Sequence, residues 1–188
     1  MSDRTRAIAL IVIQCLIVSS IGARYLYERV ACPRGWVQVG QYDPNLPMRG
    51  RYLALSPLVD ACSLPRDDES KSSWAPYQSG RTVDPKAISW NWRVITKAQD
   101  GKLVVENARH LLPRSDTQNI WLTSDQDCHR AQLSPAIDFF IPDTARSPFP
   151  LKQGTELWAE VTVPPKGPPR PIQLALSADG QWTPLKLK

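Results

Sequence analysis

Histidine is scarce in this chain, which has only two, and the residue patterns of common catalytic sites are missing. No G-x-S-x-G elbow accompanies His110 or His129, so a serine hydrolase would lack a recognisable nucleophile. No C-x-x-C pair occurs, and the adjacent Cys128 and His129 cannot easily chelate one ion together. The sequence therefore predicts no catalytic residue, no metal site and no cofactor.

Glycine is also low, with 9 residues against 18 prolines, and the basic residues are scattered rather than gathered into a stripe. Because proline cannot donate to a sheet ladder and breaks helix interiors, we expect short strands joined by rigid extended connections. The net charge of +5 is scattered and accompanies no nucleic-acid-binding motif, so we expect no nucleic-acid partner. A hydrophobic content of 42% is enough for a folded core.

One long apolar run is present near the N-terminus. Residues 7–23 carry no charge, and Tyr25 and Tyr27 extend the run with rings suited to the headgroup level of a membrane. Arg4 and Arg6 precede it, which predicts a cytoplasmic N-terminus. We expect residues 1–29 to form a cytoplasmic tip and a single inner-membrane anchor in contact with lipid.

A cleaved signal peptide is the alternative interpretation of the same run. Cleavage after Ala23 would place the large Ile21 at the −3 position, which is unfavourable for a signal-peptide cleavage site. Cleavage after Gly22 is possible, but the residues there do not particularly favour it. Both interpretations export residues 30–188, and we expect them to form a periplasmic domain.

The cysteines fit an exported domain but leave a remainder. Cys15 lies in the anchor. The exported part therefore has three cysteines, which allow one disulfide and leave one cysteine unpaired: Cys32, Cys62 and Cys128. The polar, loop-like surroundings of Cys62 and Cys128 favour that pair. Cys32 then stays free or pairs with another chain.

After residue 30 the apolar pattern alternates, which is typical of strands. Short strands are predicted around Trp36–Val39, Tyr52–Ser56, Ala87–Ala98, Leu103–Glu106, Ile120–Thr123 and Ile137–Ile141. Asp100-Gly101 between two such runs indicates a tight hairpin, and Trp90, Trp92 and Val94 should share its buried face. The charged, Ser-rich stretch 66–81 is predicted to be a mobile loop.

The last predicted hairpin has a long connection. Glu156–Val163 alternates and Ile172–Leu176 returns, while the Pro-rich stretch 164–171 reads as a stiff extended loop with Lys166 and Arg170 exposed at its rim. No segment after residue 30 has a helical apolar period. The predicted fold is all-β: a short-stranded antiparallel sandwich or barrel-like domain behind one transmembrane helix.

Two short motifs resemble those of a known family. Gly50-Arg51-Tyr52 with Leu55 follows an Asp-Pro corner close to the anchor, and Phe139-Phe140-Ile141-Pro142 comes later. The combination resembles the GDYXXLXY family of bacterial membrane-anchored proteins, in a branch with Arg-Gly-Arg-Tyr, since Arg51 replaces the family Asp and Pro57 its final Tyr. The resemblance implies a single-pass exported domain, often encoded beside multi-pass membrane proteins, with no agreed activity.

The sequence favours an interaction surface around Arg49 and Arg51. On a strand the two side chains would share one face, flanking Gly50, and could clamp a carboxylate or phosphate of a partner, with Tyr52 following. The alternative is that they pair with nearby acidic groups and fix the corner. The Lys166/Arg170 loop is a second candidate, since a rigid loop loses less entropy on docking.

Two functional classes follow. The first is a non-catalytic accessory subunit that assembles with a multi-pass membrane protein of the bacterial envelope. The second is an envelope enzyme or small-ligand-binding protein with a pocket in the β domain.

Overall fold

The computed structural model describes residues 3–43, 52–72, 88–108, 117–142 and 148–186. The chain divides into two compact units, residues 1–32 and 33–188. The first unit is a helix, and the second consists of strands with one short 3₁₀ helix in its described part.

Helix α1 runs over Asp3–Ala31, which at ~1.5 Å per residue is long enough to cross a bilayer. Its best window has a mean hydropathy of 2.0 and is not buried by the rest of the chain. Tyr25, Leu26 and Tyr27 are exposed at the C-terminal side of the run. The prediction of one N-terminal helix suited to a membrane span is confirmed.

The second unit is built from strands that follow the predicted alternation but extend further. In chain order they are β1 Arg34–Asp43, β2 Tyr52–Val59, β3 Lys71–Ser72, β4 Ser89–Gln99, β5 Lys102–Asn107, β6 Thr117–Thr123, β7 Ala131–Ser134, β8 Ile137–Phe140, β9 Thr155–Thr162, β10 Arg170–Ala178 and β11 Gln181–Pro184. The 3₁₀ helix at Cys128–Arg130 precedes β7.

Six of these strands close into a barrel in the order β1-β5-β4-β6-β7-β2 and back to β1. The neighbours pair antiparallel except β1 and β5, which meet in a parallel bridge at Trp36 and Lys102. β9, β10 and β11 continue the sheet from the other edge of β1, β8 pairs with β2, and β3 pairs with β4. The predicted all-β, barrel-like architecture is confirmed.

The barrel closes where β1 and β5 come unusually near. A Cβ on Gly35 would lie 2.8 Å from the backbone carbonyl carbon of Lys102, closer than side chains tolerate, and Trp36 N donates to Gly101 O at 2.8 Å. Only glycine permits this approach of two backbones. A residue without a side chain therefore sits at the seam of the barrel.

The barrel interior is filled by alternating apolar residues from every strand of the ring. Fully buried members include Val37, Leu55, Trp92, Val94, Ile120, Leu122 and Leu133, and Leu157, Ala159 and Val161 of β9 are equally buried. Burying such a side chain contributes about 1.5–3 kcal/mol, so this packing supplies the main stabilisation of the domain.

Two of the seven tryptophans belong to this core, as predicted. Trp92 is 2% exposed and donates its Nε1 hydrogen to Pro65 O at 2.7 Å, which satisfies its polar atom. Trp90 stacks beside it at 6.4 Å, and the Arg66 guanidinium lies 5.4 Å from the Trp90 ring centre. Val94 completes the predicted buried face of β4.

The predicted Asp100-Gly101 turn and a second Asp-Gly turn have the backbone that a tight hairpin requires. Asp100 and Gly101 have φ values of 51° and 72°, and Asp179 and Gly180 have 51° and 76°. Two successive positive φ values match the twist of an antiparallel hairpin, which explains why Asp-Gly stands at both turns.

Three local features differ from the expectation. Residues 66–72, predicted to be loop, contain β3, and Asn91 N donates to Ser70 O at 2.8 Å; residues 73–81 lie outside the described residues, and the mobility of the loop stays a prediction. β7 was not predicted. β10 begins at Arg170, although residues 164–171 were expected to form a loop outside the sheet. A register shift after Pro171 allows this, because Pro171 has no N–H to donate to the neighbouring strand.

Candidate functional site

The Arg-rich corner is described only at its end. Arg49, Gly50 and Arg51 lie outside the described residues, so their predicted clamp is untested. Tyr52 opens β2, is half-buried, and faces Phe140 of β8 across the ladder. Phe140 is 79% exposed, so an unshielded aromatic ring stands beside the point where the corner enters the sheet.

The Pro-rich loop separates its two cations. Lys166 is exposed beside Gly167, whose φ of 97° turns the chain. Arg170 is half-buried at the start of β10, where its carbonyl accepts a hydrogen bond from Thr162 Oγ1 at 3.4 Å. The expectation of two cations exposed at the rim is thus met only by Lys166, because Arg170 has joined the ladder.

The two candidate surfaces lie at opposite ends of β1. The Pro-rich loop is beside the first residue of β1, since Arg34 and Arg170 both pair with Thr162. Tyr52 is beside the far end, because Ala54 pairs with Asp43. A ten-residue strand spans roughly 33 Å, so the described parts of the two surfaces do not form one site.

Three tryptophans form a cluster on the outer face of the extended sheet, and we call Trp36, Trp158 and Trp182 the tryptophan triad. The ring centres of Trp36 and Trp182 are 5.2 Å apart at 77°, and those of Trp158 and Trp182 are 5.0 Å apart at 48°. The edge-to-face and tilted geometries are those that aromatic quadrupoles favour. Trp182 remains 48% exposed, so the triad is a rigid aromatic surface rather than core.

Strand register explains how the triad forms. Trp158 points outward because Leu157 and Ala159 on either side point into the core. Trp158 pairs with Ala175, and the neighbouring residue of β10 on that face, Ser177, pairs with Trp182. Ala175 is small and only 3% exposed, as expected if the Trp182 ring lies across it to reach its partners.

The polar groups around the triad are engaged with one another. Trp158 Nε1 donates to Glu156 Oε2 at 3.1 Å. Glu160, which pairs with Trp36, accepts from Gln173 Nε2 at 2.9 Å and lies 3.9 Å from Arg34. Both carboxylates beside the rings are therefore hydrogen-bonded, and Glu160 also has a cation nearby.

Cys62 and Cys128, the pair favoured by the sequence, are joined by a disulfide, and Cys15 and Cys32 are free thiols. His129 lies near the sulfur atoms, all three ligand-type atoms falling within 4.8 Å of one another. Because the two sulfurs are bonded together, neither is a thiolate that could bind a metal.

A carboxylate and an imidazole meet beside the disulfide. Asp60 Oδ2 lies 3.0 Å from His129 Nδ1, and Asp60 Oδ1 accepts from Cys62 N at 2.9 Å. The Cys62 N–H, followed by His129, lowers the pKa of Asp60. Both side chains are more than half exposed, so the pair fixes the loop beside the disulfide and contributes little energy.

An open groove of about 600 Å³ lies outside the barrel, between β1, β2 and the start of β9. Its polar lining includes Gln38, Arg130, Glu156 and Asp179, and Phe149–Leu151 forms an apolar wall. Asp60, whose pKa is lowered, is not among the lining residues. The groove offers mixed polar contacts but no nucleophile–base pair within its described lining.

Comparisons with protein families, with curated proteins and with solved structures find no significant match to this chain. Similarity to the GDYXXLXY family accordingly rests on the residues quoted above. The structure adds one surface that sequence patterns missed, the tryptophan triad. Its members are far apart in the chain, so the only available signal was the outward position of Trp158 between two apolar neighbours.

Proposed function

We propose that the protein is a membrane-tethered interaction module of the bacterial envelope, an accessory subunit that binds a multi-pass membrane protein. The proposal places the N-terminus in the cytoplasm and the β domain in the periplasm. It includes membership of the GDYXXLXY family, in keeping with the residues around Gly50-Arg51-Tyr52.

The observation that carries the proposal is the uncovered apolar surface of α1. A window with a hydropathy of 2.0 that no other part of the described chain buries requires lipid or another helix as its environment. Gln14, Ser19 and Ser20 lie within the run, and polar groups at that depth are better satisfied against a partner helix than against lipid. A helix from a multi-pass protein could cover the apolar surface of α1 and also bind its polar side chains.

The exported domain offers two docking elements. The Lys166 loop is rigid because of its prolines. It lies beside the first residue of β1. Tyr52, which follows Arg49 and Arg51 in the sequence, lies at the other end of β1 and pairs with the exposed Phe140. Tyrosine and arginine are enriched in the energetic centres of interfaces.

A test begins with the full-length protein extracted in mild detergent from its native host and purified by an affinity tag. Mass spectrometry should identify a multi-pass partner in stoichiometric amount, and Arg49→Ala/Arg51→Ala should reduce its recovery at least several-fold. Lys152→Ala/Lys186→Ala is the matched control, because it removes two exposed cations outside the proposed elements and should leave recovery unchanged.

Recovery of the protein alone would contradict the accessory role. It would favour the second candidate, a small-ligand-binding function in the groove beside Arg130 and Glu156, since that groove is large enough for a small molecule.

A further inference from the structure

The tryptophan triad has the composition of a membrane-interface surface. Indole rings settle at the headgroup level because the ring is apolar while its N–H requires a polar partner. The three rings pack on one another at 5.0–5.2 Å, so they are already ordered and lose little conformational entropy on contact with a surface.

The charges around the triad fit a neutral headgroup layer rather than an ionic ligand. Glu156 is bonded to Trp158, and Glu160 is bonded to Gln173 and lies near Arg34. Two carboxylates against one guanidinium repel an anionic lipid surface, so contact with lipid would gain mainly from burying the apolar rings.

The covalent chain limits where the triad can be. Only residues 32–35 separate Trp36 from Ala31, the last residue of α1. At ~3.5 Å per residue the connection reaches at most about 17 Å, which is comparable to the depth of the headgroup region together with the adjacent water layer. The chain therefore keeps Trp36 within that distance of the end of α1.

We propose that the tryptophan triad binds the headgroup layer of a phospholipid membrane. The proposal relies on the anchoring part of the proposed function and on no partner protein. Zwitterionic phospholipid is the occupant, because the excess of carboxylates around the rings repels anionic lipid.

The experiment uses the purified full-length protein in vesicles of zwitterionic phospholipid, with and without lipid brominated on the acyl carbons nearest the headgroup. Subtracting the emission of Trp182→Phe from that of the wild type isolates the signal of Trp182. Trp121→Phe is the matched control: Trp121 is half-buried on β6, the strand opposite β1 in the six-strand ring.

The Trp182 signal should fall about twofold with brominated lipid, as expected of an indole at headgroup depth, while the Trp121 signal should stay unchanged. An undiminished Trp182 signal that is instead quenched by iodide in the water would overturn the inference, because it would show that the ring faces water.

Flotation of the same vesicles separates this failure from failure of the anchor. If the protein floats with the vesicles after alkaline washing and Trp182 is not quenched, only the headgroup contact is wrong. If the protein does not float, the anchoring and the inference that relies on it both fail.

Discussion

The indole of Trp182 contacts that of Trp36 although their strands are three positions apart in the sheet. Three strand spacings amount to about 14 Å, yet the ring centres are 5.2 Å apart. The rings bridge this distance by leaning over β9 and β10, where the residue paired with Trp158 is the small Ala175. The last strand of the domain is thereby joined to the first strand by side chains as well as by the sheet.

Enlarging Ala175 should disturb this arrangement. Ala175→Leu would place a branched side chain where the Trp182 ring crosses β10, and should lower the free energy of unfolding by about 1 kcal/mol through lost aromatic contacts. Urea unfolding and near-ultraviolet circular dichroism would report the change. Ala178→Leu, at the exposed end of the same strand, is the control, and equal effects of the two variants would contradict the role of Ala175.

Gly35 should be far less replaceable than Gly40 in the same strand. Gly35→Ala forces a Cβ to within 2.8 Å of the Lys102 backbone, whereas nothing lies within 4 Å of a Cβ on Gly40. We expect Gly35→Ala to cost about 2–3 kcal/mol of stability and Gly40→Ala to change it by less than about 0.5 kcal/mol. Urea unfolding of the full-length protein in detergent measures both, and a Gly35→Ala variant as stable as wild type would refute the close seam.

Removing the disulfide should destabilise the domain strongly. Cys62 and Cys128 are 66 residues apart, and on a chain-entropy basis a closed loop of that length contributes about 4 kcal/mol. Cys62→Ser/Cys128→Ser should lose most of this in urea unfolding at neutral pH. Cys32→Ser is the control, because it removes a free thiol and should unfold like the wild type. If Cys62→Ser/Cys128→Ser also unfolds like the wild type, the disulfide does not stabilise the domain by closing a loop.

The Asp60 carboxylate should make a small contribution to acid sensitivity. Its pKa in the folded protein is lowered below the usual 3.8, first by the Cys62 N–H and then by His129. The stabilisation is therefore present above the unfolded pKa and is lost as the pH falls through the folded one. Since the pair is exposed, the effect should stay below about 1 kcal/mol.

Asp60→Asn isolates this contribution, because the amide oxygen can still accept from Cys62 N but does not titrate in this range. The loss of stability between pH 5 and pH 2 should be smaller in the variant than in the wild type. Asp138→Asn, at an exposed position of β8, is the control; an unchanged acid response in Asp60→Asn would show that the carboxylate is not linked to folding.

Sequence patterns predicted the local structure well, because alternation and turn chemistry act between near neighbours. The hairpin at Asp100-Gly101 and the buried face of Trp90, Trp92 and Val94 follow from a few adjacent residues. β7 escaped prediction because it is four residues long and is defined by its partners, β2 and β6, rather than by its own pattern.

Closure of the barrel and the tryptophan triad could not be predicted, because both depend on residues distant in sequence. The seam joins Trp36 to Lys102 in a parallel bridge beside Gly35, and no local turn signal indicates such a bridge. The triad draws on the first, ninth and last strands, and each tryptophan alone is equally compatible with a core position. The Arg49/Arg51 corner stays a prediction.

The position of β1 also determines how the domain responds to mechanical load. It is the first strand after the anchor, and it is hydrogen-bonded to β9 along one edge and to β2 and β5 along the other. A pull along the axis of β1 loads these ladders in shear, so many hydrogen bonds must break together instead of one at a time. The strand that follows the anchor in the sequence is thus held along both of its edges.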